Sequence, residues 1–249
     1  MIQLSILKIN GYGPWTLTLG SDREHELQML QASLYREVQR LFSEKNCLVF
    51  LNRSDEFFVV SNGLDLDAHI HIQKSLEKLF DVKLSISIGC GKTPLEANLD
   101  AHKGKKDKLI LDNEYNIFGS LDKSQKSVCI MHLDVDNLTS KRKVLSPYEI
   151  SSVIFGLYAK MSKYFLAKDS LTFFMGGDNF MVIASNQAKN SIRDFLKHIK
   201  DDEHISLNCG IGTAETARTA VMLATKSLDT IREIRDSGQQ KSDVYELSC

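Results

Sequence analysis

The chain repeats itself. Residues 48–62, LVFLNRSDEFFVVSN, and 171–185, LTFFMGGDNFMVIAS, align without a gap at an offset of 123. Leu48, Phe50, Asp55, Phe57 and Val59 meet identical residues in the second copy. Each segment reads as two β-rich runs around a polar tip, the pattern of a hairpin. A long-period repeat restricts the fold strongly, because both copies must reach the same structure.

The flanks extend the repeat. LSILKIN at 4–10 and VCIMHLD at 128–134 read as short strands, a match that sets Asn10 against Asp134. Helices follow. Ser21 with Glu24 predicts a capping box ahead of Leu27, Leu30, Leu34, Val38 and Leu41 on one face. Ser146 with Glu149 predicts a second, with Pro147 at the first helical position and Ile150, Val153, Ile154, Leu157 and Met161 on one face. After each hairpin come a helix, over 66–80 and 188–200, and a strand ending in glycine, over 84–89 and 205–210. A last helix opens at Thr93-Pro94-Leu95-Glu96 and at Thr213.

Each half is therefore βαββαβ plus a helix. The fold class is α+β, a tandem repeat of two ferredoxin-like domains, each an antiparallel sheet with helices on one face and strand order 4-1-3-2. The expected boundaries are an N-terminal domain at 1–108, a charged linker at 109–126 and a C-terminal domain at 127–249.

That order brings the end of the first strand beside the tip of the central hairpin. In the second half the strand ends His132-Leu133-Asp134-Val135-Asp136-Asn137, and the tip is Gly176-Gly177-Asp178-Asn179. Asp134 and Asp136 are two apart and share a face of an extended strand. Asp178 enters from the neighbouring tip. Three converging carboxylates repel one another without a cation, and hard oxygens in this number suit Mg²⁺, one ion or two, rather than zinc. Such ions clamp phosphoryl groups and activate water or a hydroxyl. Gly176 and Gly177 leave room at the tip. Taken singly, D-x-D and GGDN are also ordinary strand-end and turn sequences.

The first half differs. Its strand ends Ile9-Asn10-Gly11 and its tip is Arg53-Ser54-Asp55-Glu56, so an amide replaces one acid. Gly11-Tyr12-Gly13-Pro14-Trp15 holds the only Trp; it reads equally as a tight turn with a packed aromatic and as a loop that stacks on a base. Arg53 reads as a phosphate partner or as an ordinary exposed tip residue.

Bulk properties limit the partners. Charges nearly cancel, 31 Lys and Arg against 32 Asp and Glu, so no global field draws the chain to nucleic acid or an anionic membrane. Apolar runs are strand-sized, and the first ten residues do not read as a signal peptide. Five cysteines without a C-x-x-C argue against a disulfide framework or thiolate zinc and for a cytoplasmic home. His69 and His71, two apart on a helix, do not share a face and read as ordinary histidines.

These residues carry a family likeness. The D-x-D strand with a G-G-D hairpin resembles the palm-like group of GGDEF domains and nucleotidyl cyclases. More specifically, GYGPWTLT at 11–18, REHELQMLQASLY at 23–35, Asn62-Gly63, HLDVDNLT at 132–139, MGGDNF at 175–180 and GIGTAETA at 210–217 resemble the archaeal GTP cyclohydrolase III family. The likeness runs from the first strand to the last helix. It implies a Mg²⁺-dependent hydrolase that opens the guanine imidazole ring of GTP at C8. Phosphate is released, and the product is 2-amino-5-formylamino-6-ribosylamino-4(3H)-pyrimidinone 5′-phosphate, a riboflavin and deazaflavin precursor. It implies a homo-oligomer, dimer or tetramer.

Residue by residue, the resemblance implies catalytic and metal-binding roles for Asp134 and Asp178, with Asp136 a third metal candidate. It implies nucleotide contacts at Asn10, Tyr12, Trp15, Arg53, Asp55, Asn137, Leu138, Thr139, Gly176 and Gly177. The family pattern has Asp where this chain has Asn10. Two other functions fit the same residues: a nucleotidyl or diguanylate cyclase-like enzyme, and a non-catalytic GTP-sensing module.

Overall fold

The structure, a computed structural model, describes residues 1–122, 127–136 and 144–249. It divides into two compact units, Met1–Lys92 with Glu96–Lys126, and Thr93–Leu95 with Ser127–Cys249. Among the described residues no helix is long and apolar enough to cross a membrane.

The first unit contains β1 (Ile2–Ile9), α1 (Tyr12–Leu17), α2 (Arg23–Ser43), β2 (Leu48–Arg53), β3 (Glu56–Val60), α3 (Leu66–Phe80), β4 (Leu84–Gly91), α4 (Pro94–Lys106) from its third residue on, β5 (Ile110–Asp112) and β6 (Ile117–Gly119). Its sheet order is β2-β3-β1-β4-β6-β5. The first four strands follow the expected 4-1-3-2 order, read from the other edge. Side chains alternate across the sheet. Leu7, Ile9, Val49, Phe57, Val59, Leu84 and Ile86 form one buried face with Leu34, Val38, Phe42, Ile72 and Leu76 of α2 and α3. The opposite face receives α4: a Cβ on Gly89 would lie 2.1 Å from the Ala101 nitrogen.

The second unit contains β7 (Val128–Val135), α5 (Pro147–Leu166), β8 (Leu171–Gly176), β9 (Asn179–Ile183), α6 (Asn186–Asn190), α7 (Ile192–Glu203), β10 (Leu207–Ala214), α8 (Ala217–Asp236) and β11 (Val244–Ser248). Its order is β11-β10-β7-β9-β8, with β11 parallel to β10 and the other pairs antiparallel. Met131, Leu133, Val135, Phe180, Val182, Leu207, Cys209 and Ile211 bury one face against Ile154, Leu157, Phe165, Phe195 and Ile199. Helix α8 lies on the other face. Gly210 and Gly212 permit it: a Cβ on Gly210 would meet the Ala224 carbonyl at 2.1 Å, and one on Gly212 the Ala220 carbonyl at 2.0 Å. In each unit the helices of the βαββαβ core thus cover one face, and the additional long helix packs on the other.

Several expectations change. The capping box at Ser146 and Glu149 forms, with Pro147 in the first turn. The one at Ser21 does not: the chain turns through Ser21 and Asp22, and α2 starts at Arg23 without a side-chain cap. The helix expected over 188–200 is two, with Ser185 capping the first. Thr213 still belongs to β10; Thr216 caps α8 through its side chain, one turn later. The segment read as a linker, 109–126, supplies β5 and β6 to the first sheet, with β6 parallel to β4.

The register corrects the match between first strands. Lys8 pairs with Glu56 and Ser85, as Asp134 pairs with Asn179 and Asn208. Lys8, not Asn10, therefore stands where Asp134 stands. Asn10 corresponds to Asp136: the Asn10 amide donates to Lys83 O at 2.7 Å and the Asp136 amide to Ser206 O at 2.9 Å. Sequence similarity aligned the strand ends, but cross-strand pairing sets the true correspondence.

Candidate active site

The end of β7 faces α8. Strand alternation sends Met131, Leu133 and Val135 into the core and turns His132 and Asp134 toward α8. Asp134 is only 5% exposed. Its Oδ2 accepts from Arg232 Nη2 at 2.7 Å, and Arg232 also donates to Asp229 Oδ1 at 2.9 Å, one turn earlier on α8. Asp134 Oδ1 is buried and has no hydrogen-bond partner among the described residues. An ionised oxygen held that way is costly unless a cation or donor meets it.

Asp136 follows the strand on the same side. It accepts from Arg235 Nη1 at 3.2 Å and pairs with Lys241 Nζ at 2.9 Å. Partial burial alone would raise its pKa; bonds from Lys241, Asn208 and Arg235 outweigh that and hold it below the ordinary carboxylate value.

Asp178 sits half-buried in the two-residue loop between β8 and β9. Gly176 and Gly177 have φ of 101° and 61°, which a side chain resists, so glycine shapes this tip. A hydrogen-bonded series ties the tip to α8. Asn179 Nδ2 donates to Asp178 Oδ1 at 3.2 Å, His132 Nε2 lies 3.0 Å from Asn179 Oδ1, and His132 Nδ1 lies 3.2 Å from Thr225 Oγ1. The amide acceptor fixes Nε2 as the protonated ring nitrogen, leaving Nδ1 to accept from Thr225. Burial chiefly lowers the His132 pKa.

The structure thus puts Asp134 and Asp136 on one side of the sheet and Asp178 at the neighbouring tip. It does not draw the three carboxylates together: among the described residues, no group of three His, Cys, Asp or Glu is gathered closely enough to hold a metal ion. Asp134 and Asp136 are each paired with cations of the chain, Arg232 for one and Arg235 with Lys241 for the other.

In the first unit Asn10 donates from Nδ2 to Leu84 O and accepts from Ser85 Oγ, both at 2.9 Å. Tyr12 and Trp15, both half-buried, lie on the short helix α1 with rings 5.9 Å apart; Gly11, with φ of 64°, starts it. The segment is therefore helical, neither a simple turn nor an open loop. Gln31 bonds the Tyr12 hydroxyl at 2.5 Å. Arg53 is exposed at its tip, near Asp55 at 3.5 Å and Glu56 at 3.7 Å. Asn137, Leu138 and Thr139 lie outside the described residues.

Sequence reasoning missed Arg232, Arg235, Lys241, His132 and Asn179. The i, i+3 series Asp229, Arg232, Arg235 on a helix was the available signal.

The family model described as GTP cyclohydrolase III matches residues 2–244. The chain belongs to the GTP cyclohydrolase III family. The GTP cyclohydrolase III of Methanothermobacter thermautotrophicus is 33% identical, over 93% of this chain and 95% of its own length. That of Methanocaldococcus jannaschii is 32% identical, over 93% and 88%. Membership makes this chain an enzyme of the GTP cyclohydrolase class. Among solved structures, a bacterial light-regulated adenylyl cyclase is similar over 94% of this chain and 83% of that one, at 12% identity and a TM-score of 0.39.

Proposed function

We propose that this member of the GTP cyclohydrolase III family hydrolyses GTP at C8 of the guanine ring, in a Mg²⁺-dependent reaction centred on Asp134 and Asp178. The observation that carries the reading is Asp134 Oδ1, a buried carboxylate oxygen without a partner in a chain matched to the family from residue 2 to 244. One Asp134 oxygen is spent on Arg232, and the other is available to a cation. Asp178 offers a second carboxylate at the adjacent tip. The donor set is all oxygen, which suits Mg²⁺. Bound there, Mg²⁺ would neutralise triphosphate charge and polarise a phosphoryl oxygen or water.

The chain's own residues do the rest. Arg232 orients Asp134, and Asn179 holds Asp178 in place. Gly176 and Gly177 let the substrate approach the tip backbone. Arg235 and Lys241 add positive charge beside an anionic substrate. Water adds at C8, the C8–N9 bond breaks and the formyl group stays on N7; two further waters cleave the two phosphoanhydride bonds, so the triphosphate is shortened to a monophosphate with release of two phosphates. The product is 2-amino-5-formylamino-6-ribosylamino-4(3H)-pyrimidinone 5′-phosphate, a riboflavin and deazaflavin precursor. A cytoplasmic home and a homo-oligomer, dimer or tetramer, belong to the same reading.

The test is incubation with GTP and Mg²⁺, following ultraviolet absorbance and phosphate. Loss of the purine spectrum with two phosphates per GTP is expected, and EDTA should stop it. An unchanged purine spectrum overturns the reading. Mass spectrometry separates the alternatives: a cyclic nucleotide marks a cyclase, and bound GTP without product marks a sensor.

A further inference from the structure

The row of three residues that crosses the second sheet at Asp134 has a counterpart in the first. In the second unit it reads Asn179, Asp134, Asn208; in the first it reads Glu56, Lys8, Ser85. The central charge is inverted.

The helices over these rows differ too. Gly89 backs onto Ala97 and Ala101, as Gly212 backs onto Ala220 and Ala224. That match aligns Lys105 with Leu228 and puts the counterpart of Arg232 beyond the end of α4 at Lys106. Leu228 is fully buried, whereas the first unit has a lysine in its place. Lys105 is half-buried in the last turn of α4, so its ammonium needs polar partners there. Lys105 Nζ donates to Ser85 Oγ at 2.7 Å, and Ser85 Oγ in turn donates to Asn10 Oδ1. Lys8 Nζ lies 3.7 Å from Glu56 Oε2, longer than a hydrogen bond. Each ammonium has three N–H groups, so both keep donors to spare.

The charge is concentrated as well. Lys8 is the cross-strand partner of Ser85 and Lys105 Nζ bonds the Ser85 hydroxyl, so both ammoniums stand over one row; burial first, and Lys8 second, hold the Lys105 pKa below the ordinary lysine value against the opposite pull of Glu56. Arg53 adds a third cation at the tip beside Glu56.

We infer that the first unit carries a metal-independent site for phosphate groups, in which Lys8 and Lys105 hold an anion of the phosphate or polyphosphate class at the position where the second unit presents Asp134. A fixed ammonium at the Asp134 position repels a divalent cation and attracts its counter-charge. The two copies of the fold then handle phosphate in opposite ways, one through a carboxylate and one through lysines.

The experiment uses the full chain stripped with EDTA and titrates it with inorganic tripolyphosphate by calorimetry at low salt. Wild type binds without any divalent ion, and added salt weakens binding. Lys8→Gln and Lys105→Gln each weaken it by roughly tenfold or more, the value of a charge-assisted hydrogen bond. Lys8→Arg retains it, and Asp178→Asn leaves it unchanged. Circular dichroism checks that each variant is folded; Lys8, partly exposed, decides the matter if Lys105→Gln does not fold. No binding by metal-free wild type overturns the inference. So does unchanged binding by Lys8→Gln, or loss of binding in Asp178→Asn. Because the titration contains no GTP and no Mg²⁺, its outcome is independent of whether the second unit opens the guanine ring.

Discussion

His132 Nε2 lies 3.0 Å from Asn179 Oδ1 and joins the strand that bears Asp134 to the turn that bears Asp178. Asn179 spends its amide nitrogen on Asp178 and its oxygen on His132, so the tip is held from one side by a buried ring. Replacing His132 with Leu removes that donor and leaves the Asn179 oxygen to turn away. The expected outcome is a fold stable to within about 1–2 kcal/mol, with kcat reduced. Urea unfolding and steady-state kinetics measure the two; unchanged kcat would show that the tip does not need the tie.

Asp178→Asn keeps the turn and the size of the side chain but removes the charge. Turnover dependent on Mg²⁺ should be lost, while the unfolding midpoint in urea stays close to wild type, since a turn residue supports little of the core. Near-normal activity would refute the metal assignment.

Arg232 is the partner of a carboxylate that is almost wholly enclosed. Arg232→Ala should destabilise the chain by about 1–3 kcal/mol, the cost of leaving a buried acceptor without its partner. Activity should fall further than stability alone explains. Arg232→Lys restores charge but not the fork of donors, and should recover only part of either quantity.

His69 predicts the acid limb of stability. It is fully buried, with Nδ1 bonded to Asp65 O at 2.6 Å and Nε2 accepting from Ser5 Oγ at 2.8 Å. Burial pushes its pKa from 6.5 down to about 4. Between those values the unfolded chain takes a proton that the folded chain refuses. The contribution is therefore complete above pH 6.5 and is lost as the pH falls toward 4, about 3 kcal/mol in all. Unfolding free energy measured against pH should show this slope, and His69→Gln should flatten it.

Gly210→Ala would place a methyl group 2.1 Å from the Ala224 carbonyl, so α8 has to move. A cost of about 1–3 kcal/mol is expected. Arg232 travels with the helix, so turnover should drop although position 210 is remote from the carboxylates in sequence. Thermal unfolding and kinetics on the same variant test this.

The repeat, the strand order and the helix periods were legible because they depend on local patterns: alternation in strands, 3.6-residue spacing in helices, Ser146 with Glu149 at a helix start. Asp134 and Asp178 were legible as neighbours because topology alone brings them together. The pairing of Arg232 with Asp134 was not, since it depends on which face α8 covers. That choice rests on Gly210 and Gly212, whose spacing resembles any glycine pair in a strand. The correspondence of Lys8 with Asp134 was hidden for a different reason. Opposite charges have no sequence similarity, and only the hydrogen-bonded ladder shows that they hold the same place.

The glycine face of β10 also has an evolutionary reading. It lets α8 lie against the backbone of the sheet, and that contact sets where Arg232 meets Asp134. A side chain gained at either glycine would leave the other face of the sheet and its core intact. Such a variant would persist as a folded protein and be purged, if at all, for its lost chemistry.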